Sequence, residues 1–222
     1  MTKKLDEMPP EQSRSFDRLV NFTDAVVAIA ITLQILPLID VEGPKTGETV
    51  WQVIAENFSH ISAFSISFAV LMVLWFKHNR VFNVMRAYDG VILWLNSAWL
   101  LCIVFLPWPS AMYGMAVDDG ILGSTGIGLL YWWNMAAISG FGLLIARHAW
   151  RTPSLLEPGA NDRNPKHYSL TKMRGMSIFL YLIVIGLASE YLPGIANYLA
   201  IGIIPMSIML RSPKAAQSGF YS

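Results

Sequence analysis

Charge is what this sequence has least of. Asp, Glu, Lys and Arg make up only 14% of its 222 residues, where a soluble domain carries about 25%. Hydrophobic residues reach 54% and the mean hydropathy is +0.45, so a lipid bilayer is the natural solvent for much of the surface. The net charge of +1 says nothing about nucleic acid, and no nucleic-acid partner is expected. A single cysteine, Cys102, excludes an intramolecular disulfide and sits in an apolar run, where it packs as a small hydrophobe. Enzyme signatures are missing too: there is no nucleophile elbow, no paired-histidine metal motif and no phosphate-cradling glycine loop. The four histidines (His60, His78, His148, His167) have no ligand spacing. No enzyme activity, metal or cofactor is therefore expected. Met1 to Arg14 has no apolar core, which excludes a signal peptide and leaves residues 1–15 as a cytoplasmic tail.

What the chain does have is long apolar runs. A membrane-crossing helix needs about 20 mostly apolar residues, and six candidates occur: about 18–39, 50–76, 88–112, 121–148, 171–191 and 194–210. The second is longer than needed, so its start falls at the interface; the sixth is the shortest. Transmembrane strands would be about 10 residues long with strict alternation, which these continuous runs are not. Breakers separate them: Gly43-Pro44, Asp118-Asp119-Gly120 and Pro193-Gly194. Seven of the eight tryptophans cluster near run ends, as interfacial anchors do, while Trp99 sits mid-run. The expected fold is all-α: a six-helix transmembrane domain over 16–211, with a second cytoplasmic tail at 212–222.

Orientation follows from the basic residues. With six spans, every Lys and Arg except Lys45 falls on the face that holds both termini. The opposite face carries Lys45 with Asp40, Glu42, Glu48, Asp118, Asp119 and Glu190. A missed or extra helix would scramble this segregation, so the charges support the count and place both termini in the cytoplasm.

Polar residues inside spans are costly, about 2.5–3.5 kcal/mol for a charge at mid-helix. Helix 1 holds Arg18 and Asp24, helix 2 ends with Lys77 and His78, and helix 3 holds Asn96. Asp24, His78 and Asn96 should lie at similar depth and join helices 1 to 3 in one polar network. That network locks helix packing, because buried polar groups in lipid must find partners; a proton relay would use the same residue types and stays open. Along helix 1, Ile29, Thr32, Leu33 and Leu36 form one stripe at 100° per residue, while Ala25, Ala28 and Ala30 permit close helix approach. From pattern alone the stripe faces lipid or a helix of the same subunit. No TVGYG-type loop occurs, which excludes a conventional potassium-channel filter.

Arg18-x-x-x-Phe22-Thr23-Asp24 resembles the R-x-x-x-F-S-D signature of the transmembrane protein 175 family of potassium channels, in its prokaryotic branch. The following Ala-Ile-Ala-Ile-Thr-Leu is similar to that family as well. So are Trp75-x-x-His78, and Asn96 followed by Phe105-Leu106-Pro107. Thr23 replaces the usual serine and keeps the hydroxyl, and Gln34 stands where leucine is common. The resemblance implies a homotetramer in a plasma membrane, with helix 1 of each subunit lining a central pore and potassium as permeant ion. By position, Ile29 matches the isoleucine of a hydrophobic constriction, Leu33 and Leu36 match apolar positions further along the pore face, and Thr32 matches a threonine layer linked to selectivity. It also implies that Arg18 and Asp24 engage polar residues of helices 2 and 3. Asp24 fits that picture on a helical wheel. Arg18, eleven residues before Ile29, points within about 20° of the pore face instead. Two other classes stay in play: a secondary transporter using Asp24 as coupling carboxylate, which the lack of an internal repeat disfavours, and a non-conducting membrane scaffold.

Overall fold

Every named element of the protein is helical. A computed structural model describes residues 10–158, 160, 165–195, 199 and 202, and among these no strand occurs beyond one isolated bridge between Met85 and Leu156. The helices are α1 (Pro10–Leu33), α2 (Leu36–Ile39), α3 (Val50–Glu56), α4 (Phe58–Phe82), α5 (Gly90–Phe105), α6 (Pro107–Asp118), α7 (Ile127–Arg151) and α8 (Pro165–Tyr191).

Four stretches are long and apolar enough to cross a membrane: Arg14–Ile39, Phe58–Phe82, Gly90–Asp118 and Ile127–Arg151. They correspond to the first four runs, with shifted ends. Helix 1 begins earlier than Arg18, at Pro10, where the fixed φ of proline and its missing N–H suit a first helical position. The second run divides at Asn57: Val50–Glu56 is a separate helix with no buried residue, capped by a reciprocal Thr49–Gln52 box, and the span proper is α4. The third span bends at Leu106, because Pro107 lacks the N–H that would continue the ladder. The fifth predicted span lies within α8, whose apolar part, Gly175–Tyr191, is shorter than the other four. The sixth, at about 194–210, lies outside the described residues apart from isolated positions.

The core is organised by α7, which packs on α8 and α5, while α4 packs on α6 and α1 touches α5 and α4. Tyr131, Trp132, Met135 and Ile138 of α7 are completely buried. Small residues let α7 and α8 approach: a Cβ on Gly128 would stand 2.7 Å from the Cβ of Ser189, and one on Gly186 would stand 2.7 Å from the Trp133 ring. A buried hydroxyl cluster ties the helices further, with the Ser67 hydroxyl 2.8 Å from both Ser110 and Tyr131.

At the end of the bundle where α4 gives way to α5, two loops clasp each other. The Arg86 N–H donates to the Leu155 carbonyl at 2.9 Å, and the Glu157 N–H to the Val84 carbonyl at 3.0 Å. Asp89 caps α5 by accepting from the Ile92 N–H at 2.9 Å and meets His148 of α7 at 2.7 Å. Burial pushes the Asp89 carboxyl up, but the His148 contact and the cap together outweigh it and hold it below the usual carboxylate value. A carboxylate depressed in this way stabilises the fold above its unfolded pKa, and that contribution is lost as pH falls through the folded value. We therefore expect thermal stability to drop on acidification into this range and to do so less steeply in Asp89→Asn. For the α7–α8 contact, Gly128→Val should lower thermal stability by about 1–3 kcal/mol, read by thermal unfolding in detergent.

Candidate functional site: the two faces of helix 1

Helix 1 presents two faces of different chemistry. Thr23, Val27, Ala30 and Gln34, spaced four, three and four residues apart, are buried against the bundle. The opposite side is bare: Ile29 is 60% exposed, Leu36 49% and Leu33 37%, and Ala25, Ala28 and Thr32 are also exposed. The four stripe residues therefore share one uncovered face of the single subunit. The Thr32 hydroxyl donates to the Ile29 carbonyl at 2.7 Å. Its proton is thereby occupied, and its lone pairs remain available as acceptors.

The roll of the helix is fixed from behind by a polar chain. Asn96 of α5 donates from its Nδ2 to Thr23 Oγ1 at 2.8 Å, and its Oδ1 lies 2.9 Å from His78 Nε2 of α4. All three residues are buried. The acceptor oxygen of Asn96 requires a proton on His78 Nε2, which sets that ring's donor. The His78 ring is sandwiched, with its centroid 4.2 Å from Phe82 and 3.9 Å from Trp99. Phe82 stacks in turn on Phe16 of α1 at 5.9 Å, so an aromatic column runs beside the hydrogen bonds.

Asp24 takes a separate partner. Its Oδ1 accepts from Trp75 Nε1 at 2.9 Å. The hydroxyl at position 23, rather than the carboxylate at 24, completes the chain to Asn96 and His78. Arg18 stands apart from both clusters. It is exposed, and it lines a cleft of about 480 Å³ with Ser15, Asn21, Phe22 and Tyr88. Among the described residues Arg18 makes no ion pair, and it lies on the same exposed side as Ile29. Phe22 is itself 60% exposed.

Two features were not singled out from sequence. Helix 1 breaks after Leu33: Gln34 and Ile35 bond three residues back, to Ile31 and Thr32, and Pro37 stands in the first turn of the short α2. At this break the Gln34 amide is fully buried with neither Nε2 nor Oε1 bonded. The proline was visible in the sequence, but the direction of Gln34 follows only from the roll set at Thr23. The second feature is the pair His60–Asp118, 2.8 Å apart across α4 and α6. A close approach of the two helices permits it, since a Cβ on Gly114 would lie 3.3 Å from the His60 Cα.

An all-helical, multi-pass membrane protein with one uncovered helical face is the class these features define. Residues 18–107, which hold the whole Thr23–Asn96–His78 chain, match the family described as endosomal/lysosomal potassium channel TMEM175. The chain is 34% identical over 97 residues to a potassium channel of Streptomyces collinus, covering 43% of this chain and 46% of that protein. To a potassium channel of Chamaesiphon minutus it is 37% identical over 105 residues, 46% of this chain and 51% of that one. The matched stretch thus spans about half the length of these curated relatives. The human endosomal/lysosomal proton channel TMEM175 is 29% identical over 156 residues, 69% of this chain and 29% of that protein. The chain also shares the fold of a crystal structure of a lysosomal potassium-selective channel TMEM175 homolog from Chamaesiphon minutus. The TM-score is 0.68 with 21% identity, over 89% of this chain and 96% of that one.

Interhelical hydrogen bonds in membranes are worth about 0.6 kcal/mol on average and seldom more than about 1.7. Asn96 makes two, and its loss orphans two buried partners. Asn96→Leu is expected to destabilise by roughly 1–3 kcal/mol, whereas Thr23→Ser should be nearly neutral and Thr23→Val should reproduce part of the loss. Equal stability of Thr23→Ser and Thr23→Val in thermal unfolding would show that the hydroxyl is not the anchor.

Proposed function

We propose that this chain is the subunit of a homotetrameric potassium channel, in which helix 1 of each copy lines a central pore without a filter loop. The observation that carries this reading is the uncovered face of helix 1, where Ile29, Thr32, Leu33 and Leu36 are exposed together. Apolar residues alone would suit lipid. Thr32 within the stripe, and Arg18 and Asn21 at its start, suit a path that meets water at its end. The bacterial relatives named as potassium channels supply the permeant ion for this proposal.

The physics of such a pore is direct. Four Ile29 side chains around an axis form a ring too apolar to hydrate easily, so it gates by dewetting. Leu33 and Leu36 extend the constriction. Four Thr32 oxygens, with their protons held by the Ile29 carbonyls, face the ion as acceptors and replace part of its water shell. Asp40, Glu42 and Glu48 beyond the pore helix raise the local cation concentration. In this reading the chain has six spans, sits in a plasma membrane with both termini cytoplasmic, and needs no cofactor. The Thr23–Asn96–His78 chain and the Asp24–Trp75 bond position helix 1 and do not touch the ion.

The test is ion flux from liposomes holding the purified protein, under potassium, sodium and proton gradients. Ile29→Asn should raise potassium flux several-fold and weaken discrimination against sodium, because an amide ring hydrates where an isoleucine ring does not. Unchanged flux in a variant that still assembles as wild type would remove the pore assignment. Asp24→Ala should reduce yield and assembly more than selectivity; normal assembly with loss of proton-coupled flux would point to a transporter instead.

A further inference from the structure

Beside the broken end of helix 1 lies a cavity of about 710 Å³. That volume falls in the range of about 300–1,000 Å³ typical of small-molecule sites. Its lining is mixed, with Leu36, Val104, Pro107, Trp108, Ala111 and Met115 supplying the apolar part. The charged part of the lining is acidic, with Asp40, Glu42, Glu48 and Glu56 against the single Lys45. Two of these carboxylates are already engaged: Glu42 lies 3.1 Å from the Lys45 ammonium, and Glu48 accepts from the Lys45 N–H at 2.9 Å. Asp40 and Glu56 are exposed, and neither carboxylate has a hydrogen bond or ion pair among the described residues.

This combination selects a ligand by elimination. Anions meet four carboxylates and one lysine. A bare metal ion finds no group of three ligating side chains among the described residues. A neutral apolar molecule would fill the walls and leave Asp40 and Glu56 unused. An organic ammonium ion with an apolar body satisfies both parts: its tail displaces water from the apolar side chains, Trp108 among them, and its charged head pairs with the free carboxylates.

We propose that this cavity is a binding site for an amphiphilic organic ammonium ion. The floor is held rigid from α4 and α6, where His60 also lines the cavity and meets Asp118. The opposite wall is Leu33, Leu36 and Pro37. A bound ammonium therefore braces the short α2 segment against the rest of the bundle. The site shares Leu33 and Leu36 with the stripe assigned to the pore, and what it predicts is binding rather than conduction.

The test uses the full chain in nanodiscs of phosphatidylglycerol, which carries no ammonium headgroup. The probes are 4-phenylbutylamine, protonated at neutral pH, and its uncharged and anionic counterparts 4-phenylbutanol and 4-phenylbutyrate. Saturable binding is read by calorimetry and by tryptophan fluorescence. The amine should bind several-fold more tightly than the alcohol, and the carboxylate should not bind. Glu56→Gln and Asp40→Asn should each weaken the amine several-fold and leave the alcohol and the melting temperature of the free protein unchanged; Trp108→Leu should weaken amine and alcohol alike. Three outcomes overturn the proposal: equal binding of all three probes, insensitivity to both acidic substitutions, or no saturable binding. The last would leave the cavity covered by a second copy of the chain or by a lipid tail.

Discussion

Everything that distinguishes helix 1 from the other helices depends on its roll about its own axis, and that roll is set at Thr23. A helix has one rotational setting. Once the Thr23 hydroxyl is held by Asn96, and Asn96 by a His78 ring stacked between Phe82 and Trp99, the rest of the helix follows. Val27, Ala30 and Gln34 turn inward and Ile29, Thr32, Leu33 and Leu36 turn outward. Hydrocarbon packing alone would not fix this, because lipid tails are as apolar as the side chains they would replace. A directional bond in a medium without water does, since a misrotated helix would leave Asn96 without its partner.

The remaining helices are built for a different purpose. α7 is buried along much of its length and is pressed against α8 through glycines, with Ser67, Ser110 and Tyr131 sharing hydroxyl contacts between α4, α6 and α7. Among the described helices α1, by contrast, packs chiefly on α5 and α4, and much of its circumference stays exposed.

Much of this was legible in the residues. The first four spans could be read from apolar length, because bilayer thickness imposes a minimum that few other structures need. The stripe on helix 1 could be read from a period of 3.6. Breaks within a span were less legible. Asn57 divides α3 from α4 although both sides are apolar, and the ends of runs shifted because hydropathy does not mark where hydrogen bonding stops. The partners inside the polar network were the least legible. Depth placed Asp24, His78 and Asn96 together, but adjacent helical residues point 100° apart, and that difference sends Thr23 to Asn96 and Asp24 to Trp75. Arg18, eleven residues before Ile29, shares its helical direction and is likewise exposed.

The buried amide of Gln34 carries a consequence of its own. It sits within the one turn of helix 1 where the regular ladder fails, between a carbonyl at Leu33 that Pro37 cannot serve and a stripe of apolar side chains. Two donor hydrogens and an acceptor oxygen without partners make this turn the place in the helix with most to gain from hydration. The hydrophobic stretch of helix 1 is therefore not uniformly dry in its energetics: its end toward Pro37 is bounded by a buried amide that water would satisfy.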